Sequence, residues 1–316
     1  MTVVTDTRSR PLLIVVGQTA SGKSDLGIAL AHKLGGEIIN ADSMALYRGM
    51  DIGTAKVTLA ERGRTRHHLL DIWDLRHPAS VAEYQGLARS LVDDVHARGV
   101  VPIVVGGSGL YIRALCDDLA FPGTDPEVRG RWEKRLEHEG PESLHAELVR
   151  RDPLSAESIQ PANGRRMVRA LEVIEITGRP YTATLPAPEA LYDATFIGLD
   201  VDRTLLAARI EARVDRMWAL GFVDEVRGLE ADGLRDGITA RRAVGYAQVL
   251  RYLAGEIDEA EARAETLVAT RSFARRQLKW FGREPRIRWL PYDAPDLLDQ
   301  ALNLVADKGE VLRRKQ

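Results

Sequence analysis

The chain has 316 residues and a formal net charge of −2, with 44 lysines and arginines against 46 aspartates and glutamates. That length allows one large domain or two smaller ones, and the overall charge announces no nucleic-acid partner. A single cysteine, Cys116, excludes an internal disulfide framework and any CxxC zinc site. No apolar run approaches a membrane span and residues 1–10 are a polar tail without a signal core, so we expect a cytoplasmic protein with no membrane partner.

Pro11 to Val16 is short, apolar and β-branched, as a buried parallel strand should be. It runs into Gly17-Gln18-Thr19-Ala20-Ser21-Gly22-Lys23-Ser24, a complete phosphate-binding loop, and the apolar spacing from Ser24 to Ala31 predicts a helix. Glycines let backbone N–H groups curl around an oxyanion. Lys23 adds a point charge, Ser24 offers a hydroxyl to Mg²⁺, and the helix N-terminus adds its dipole. The loop binds a di- or triphosphate, and by weight of numbers such nucleotide-binding loops hold ATP.

A second strand, Glu37 to Asn40, is followed by Asp42, which suits a general base or a Mg²⁺ ligand but equally a helix N-cap. The region Leu69 to Ile72 reads as a strand. His67 and His68 before it point in opposite directions, which suits structural or surface roles better than a shared metal. Val81 to Arg98 reads as a helix and Val100 to Val105 as a strand. That strand ends in Gly106-Gly107-Ser108-Gly109, where an ATPase would place an aspartate for its Mg²⁺ shell. The glycines allow either close approach to a ligand or a simple tight turn.

Strand signals vanish from Asp125 to Thr177, where Asp125-Pro126-Glu127 starts a helix. A Pro- and Ala-rich loop (Pro180 to Pro188) precedes a strand at Thr195 to Leu199. Amphipathic helices then fill Arg203 to Gly282 before a last strand at Ile287 to Leu290. The pattern predicts an α/β fold, a P-loop NTPase-like parallel sheet flanked by helices, from residues 1–120 and 195–316. An all-helical domain, residues 121–194, is inserted in it.

Arg209 and Arg213 share a helix face, read as solvated because Glu211 and Glu225 are near in sequence. From Arg271 to Arg288, seven cations (Arg271, Arg275, Arg276, Lys279, Arg283, Arg286 and Arg288) face one acid, Glu284, with Trp280 and Phe281 among them. That clustering is either a solvated face or a surface for RNA phosphates and bases.

Several blocks follow one another in order: Gly17 to Ser24, the long stretch Ala41 to Lys56, His67 to Asp71, Gly106 to Tyr111, Asn163 to Glu172, Arg242 to Tyr246 and Arg275 to Trp280. Together they resemble the bacterial type of tRNA dimethylallyltransferase, also called isopentenyl-diphosphate:tRNA transferase, over nearly the whole chain. The resemblance implies that Gly17, Gln18, Thr19, Ala20, Ser21, Gly22, Lys23 and Ser24 hold the diphosphate of dimethylallyl diphosphate, not ATP, with Mg²⁺ at Ser24. The prenyl group would pass to the exocyclic N6 of the adenine just 3′ of a tRNA anticodon. Asp42 would be the base, and Lys23, Ser24, Ser108 and Arg213 would complete the catalytic set.

The resemblance also implies an anticodon stem-loop held between the core and the insertion, and we expect a monomer. RNA contacts would come from Asp42, Ser43, Met44, Ala45 and Ser108, from Arg129, Arg165, Arg166, Met167, Val168 and Arg169, and from Arg242, Gly245, Tyr246 and Gln248. Arg275, Arg276, Gln277, Lys279 and Trp280 would add the basic helix. Three positions depart from the family pattern: Ser108 where Thr is common, Ala45 where Gln is frequent, and Gln18 in place of Pro, which should matter little. The rivals are an adenylate isopentenyltransferase acting on free nucleotide, a small-molecule kinase and a non-catalytic RNA-binding protein.

Overall fold

The computed structural model describes residues 11–181 and 188–313, so the polar tail and most of the Pro- and Ala-rich loop lie outside the described residues. In chain order the elements are β1 (Pro11–Val16), α1 (Lys23–Leu34), β2 (Glu37–Asn40), α2 (Leu59–Arg62), β3 (His67–His68), α3 (Val81–Ala97), β4 (Pro102–Gly106) and α4 (Gly109–Cys116). Three helices follow: α5 (Pro126–Arg151), α6 (Pro153–Ser158) and α7 (Gly164–Thr177). The chain closes with β5 (Asp193–Asp200), α8 (Arg203–Ala219), α9 (Phe222–Ala231), α10 (Tyr246–Leu253), α11 (Glu259–Phe281), β6 (Ile287–Pro291) and α12 (Leu297–Arg313).

All six strands are parallel, in the order β3-β2-β4-β1-β5-β6. The strands alternate their side chains between two cores, as a sheet covered on both faces must. Leu12, Ile14 and Val16 join Ile39, Val104 and Phe196 on one face. Leu13 and Val15 join Ile38, Ile103, Val105 and Ile197 on the other, under Leu26 and Leu30 of α1 and Ala301 of α12. The central β1 pairs with β4 and β5, and its carboxyl end opens directly into the phosphate loop. Open α/β sheets bind ligands at that position. Among the described residues, no helix is long and apolar enough to cross a membrane.

The third strand differs from the expectation. It is the histidine pair itself, while Leu69 to Ile72 leaves the sheet. Leu69 (φ 57°) and Asp71 (φ 58°) adopt left-handed backbone, which no strand accommodates. Their turn is instead woven onto the stretch after β2, through the Asp71 and Ile72 N–H groups on the Ala45 and Leu46 carbonyls.

The chain divides into two compact units, residues 1–117 with 190–316, and residues 118–189. The boundary expected at 194 therefore falls inside the sheet unit. Ala190 bridges Asp117, and Asp193 begins the strand that pairs with β1. The helical unit packs its own core from Val128, Trp132, Leu144, Leu148, Met167 and Leu171. Asp125 caps α5, accepting from the Glu127 and Val128 N–H groups, with Pro126 in the first turn.

Candidate active site

The phosphate loop is shaped by backbone that most residues avoid. Ala20 (φ 64°) and Gly22 (φ 96°) are both left-handed, and a Cβ on Gly17 would lie 2.5 Å from Ser21 Oγ. Gly22 precedes α1 without a side chain to cap it, so the first N–H groups of that helix remain available to an anion. Contacts from distant helices hold the loop in this form. Arg209 Nε donates to the Ala20 carbonyl at 2.7 Å, and its guanidinium lies over the Tyr292 ring. Gln277 Oε1 accepts the Thr19 N–H at 2.8 Å, and Gln18 Nε2 donates to the Ala274 carbonyl at 3.0 Å. Gln18 was expected to matter little; proline could not make this bond to α11.

Thr19, Lys23, Ser24, Asp42, Ala45 and Arg213 line one pocket at the carboxyl end of the sheet, with Ile38, Val57 and Leu70 giving it an apolar flank. Lys23 Nζ donates to the Gln18 carbonyl at 3.2 Å. Burial lowers the Lys23 ammonium to about 8, opposed by the Asp42 carboxylate and assisted by the Arg213 charge. Arg213 is lowered in turn by its burial, again opposed by Asp42. Two cations and one carboxylate thus feel one another across the pocket.

Asp42 caps no helix. Its Oδ1 accepts the Met44 N–H at 2.9 Å, and the residues that follow are turns. Asn40, not foreseen from sequence, sets its position. The Asn40 side chain accepts the Asp42 N–H (3.0 Å) and donates to the Asp42 and Leu69 carbonyls (2.9 Å each). Ser108 Oγ accepts the Ser43 N–H at 3.1 Å, tying the end of β4 to the same stretch. The glycines of that end serve close packing within the protein. A Cβ on Gly106 would lie 2.3 Å from the Ala41 backbone, and one on Gly109 would lie 2.1 Å from the Trp280 ring.

The expected solvated face of Arg209 and Arg213 points inward. Arg213 donates to the Thr54 carbonyl at 2.9 Å. Glu225 is not its partner. That carboxylate accepts the Asp51, Ile52 and Gly53 N–H groups (3.1, 2.6 and 3.3 Å) and the Tyr246 hydroxyl (2.6 Å). Lys56, buried and also missed, fastens the other end of this loop to Asp51 (2.7 Å), Asp71 and the Tyr47 carbonyl (2.8 Å). A lysine in a Thr-Ala-Lys string carries no sequence signal for that role. His67 lines the pocket while His68 pairs with Glu37 at 2.7 Å, so the two do point apart. Burial lowers His67, which keeps it neutral near pH 7.

Four of the residues expected to contact RNA are buried within the protein. Met167 and Val168 pack the core of the helical unit, Tyr246 is fully buried on Glu225, and Gln277 is 4% exposed with its amide spent inside the protein. Gly245 is buried and Gln248 accepts its N–H at 2.9 Å, closing the start of α10. Arg129 and Arg169 both bind the buried Glu172 (2.8 and 2.9 Å). Exposed side chains remain at Arg165, Arg166 and Arg242, and on α11 at Arg275, Arg276, Lys279 and Trp280. Removing the Tyr246 hydroxyl deletes one donor to a charged acceptor. We expect Tyr246→Phe to cost about 1–2 kcal/mol of stability in thermal unfolding and to leave RNA affinity unchanged.

A family model described as IPP transferase matches residues 45–284. The chain belongs to the IPP transferase family. It is 60% identical over 308 residues to a tRNA dimethylallyltransferase of Thermobifida fusca, spanning 96% of this chain and 97% of that one. A tRNA dimethylallyltransferase of Streptomyces coelicolor is 61% identical over 297 residues, 93% of this chain and 95% of its own. Among solved structures, the full-length tRNA isopentenylpyrophosphate transferase of Bacillus halodurans superposes with a TM-score of 0.72 at 36% identity, covering 96% of this chain and all of that one. A eukaryotic dimethylallyltransferase acting on tRNA gives a TM-score of 0.81 at 26% identity, over 97% and 80%. These relatives extend through both units, so the helical insertion belongs to the family's design.

Proposed function

We propose that the chain transfers a dimethylallyl group from dimethylallyl diphosphate to the exocyclic N6 of the adenine 3′-adjacent to the anticodon in tRNA, releasing diphosphate. The observation that carries this reading is one pocket pairing a phosphate loop with a carboxylate: Lys23 and Ser24 with Asp42 and Arg213. An ATPase-type strand end would supply an acid after β4, and here it supplies Gly107 and Ser108. The names of the close relatives support the same reading.

The adenine amine is a weak nucleophile, because its lone pair is delocalised into the ring. As its nitrogen bonds the allylic carbon, Asp42 takes the amine proton and the carbon–oxygen bond breaks, its electron pair leaving on diphosphate. Lys23, Arg213 and the N–H groups before and within α1 stabilise the charge that develops there. The Ser24 hydroxyl would hold Mg²⁺ at this site. The described residues hold no cluster of three His, Cys, Asp or Glu, so the ion would take its other ligands from diphosphate and water and supply charge neutralisation. The target base must leave its stack, which costs a few kcal/mol at most in a flexible loop. Exposed Arg275, Arg276 and Lys279 suit phosphate contacts, with the Trp280 ring beside them for stacking. We further propose a monomer acting in the cytoplasm.

The test is incubation with Mg²⁺ and labelled dimethylallyl diphosphate plus tRNA or AMP, with ATP turnover in parallel. Label should appear on tRNA alone. Label on AMP without tRNA, or γ-phosphate transfer from ATP without prenylation, overturns the proposal.

A further inference from the structure

Gln277 joins two walls of the pocket through a single amide. Its Oε1 accepts the Thr19 N–H at 2.8 Å, and its Nε2 donates to the Gly107 carbonyl at 3.0 Å. Thr19 belongs to the phosphate loop. Gly107 precedes Ser108, whose hydroxyl receives the N–H of Ser43, the neighbour of Asp42. The side chain is 4% exposed, and both of its polar ends are satisfied within the protein. A Cβ on Gly107 would stand 2.1 Å from Gln277 Nε2, so the contact requires glycine there. One turn earlier on α11, the Ala274 carbonyl accepts from Gln18, which sets the helix against the loop and fixes the reach of the amide.

We propose that Gln277 is a positioning residue, an amide spacer that holds the leaving-group cradle at a set distance from the loop carrying the base. The inference rests on the prenyl-transfer reading. Displacement at nitrogen needs base, amine, allylic carbon and leaving oxygen in register, and an error of about 1 Å costs roughly a hundredfold in rate. A buried amide bonded at both ends is rigid in a way that an exposed RNA contact is not.

Gln277→Glu is the discriminating variant, because it keeps the shape and the acceptor for Thr19 but sets a carboxylate oxygen against the Gly107 carbonyl. We expect kcat for tRNA prenylation to fall about tenfold or more, with KM for each substrate and binding of inorganic diphosphate within about threefold of the parent. The ratio of variant to parent kcat should recover as pH falls, because the protonated carboxyl donates again. Gly107→Ala displaces the amide from the opposite side and should reproduce the kcat loss, and the double variant should be no worse than the poorer single one. An unchanged kcat in both single variants overturns the proposal. So does a loss in which diphosphate binding, KM and melting temperature move together, which marks packing alone. If the parent itself fails to prenylate tRNA, the functional reading fails instead, and the two outcomes are distinct.

Discussion

Asp42→Asn should lower single-turnover prenylation about a thousandfold while tRNA binding stays within about threefold, the scale expected for loss of a general base. The site makes this substitution clean. Asn40 holds residue 42 through its backbone N–H and carbonyl, and the Met44 N–H bonds to an oxygen that asparagine also possesses. The loop therefore keeps its form while the basicity and the negative charge go. Removing the carboxylate also removes the charge that raises Lys23, whose pKa should fall below its present value of about 8. Rapid-quench rates alongside filter binding measure the first effect. Turnover within threefold of the parent would remove Asp42 as the base.

Lys23→Met should cost about a hundredfold or more in kcat/KM for dimethylallyl diphosphate, comparable to loss of one preorganised donor at a developing charge. Its pH signature is separate from that loss. Lys23 in the ligand-free site is lowered to about 8 by burial, so it carries its charge below pH 8 and sheds it above. A diphosphate favours the charged form. Parental affinity for inorganic diphosphate should therefore weaken as pH rises through about 8, relative to Lys23→Met, which shares every other titration including the ligand's own. Calorimetry across about pH 6.5 to 9.5 reads the difference. Parallel curves would mean that Lys23 does not meet the anion.

Much of the candidate site was legible in the sequence because it lies in contiguous motifs. The phosphate loop needs only a strand before it, a helix after it and glycines between, and each of these leaves a local trace from Pro11 to Leu34. Asp42, two residues beyond β2, falls at the same edge of the sheet by arithmetic alone. The absence of an acid after Val105 was equally local, and it weakens an ATPase reading.

What stayed hidden is where side chains go after leaving their own element. Arg209 and Arg213 sit four residues apart on a helix rich in charge, the pattern of a wet face, yet Arg209 bonds the Ala20 carbonyl and Arg213 lines the pocket against Thr54. Glu225 and Tyr246 are twenty-one residues apart, and no periodicity announces that one carboxylate gathers three backbone N–H groups from residues 51–53. A motif likewise records which residues are required without saying why. Gln277 and Tyr246 sit inside blocks expected to contact RNA, while burial gives them structural duties.

The sequence by itself determined the parallel α/β core, the phosphate loop and the carboxylate beside it, because strands, helices and tight loops obey spacing rules a few residues long. Only the tertiary structure decided which basic residues face the pocket, which face solvent, and which side chains tie the loop at Gly17–Ser24 to the stretch around Asp42. Those choices depend on contacts between segments up to 258 residues apart, as between Thr19 and Gln277. Burial settles them through the cost of leaving a donor or a charge without a partner.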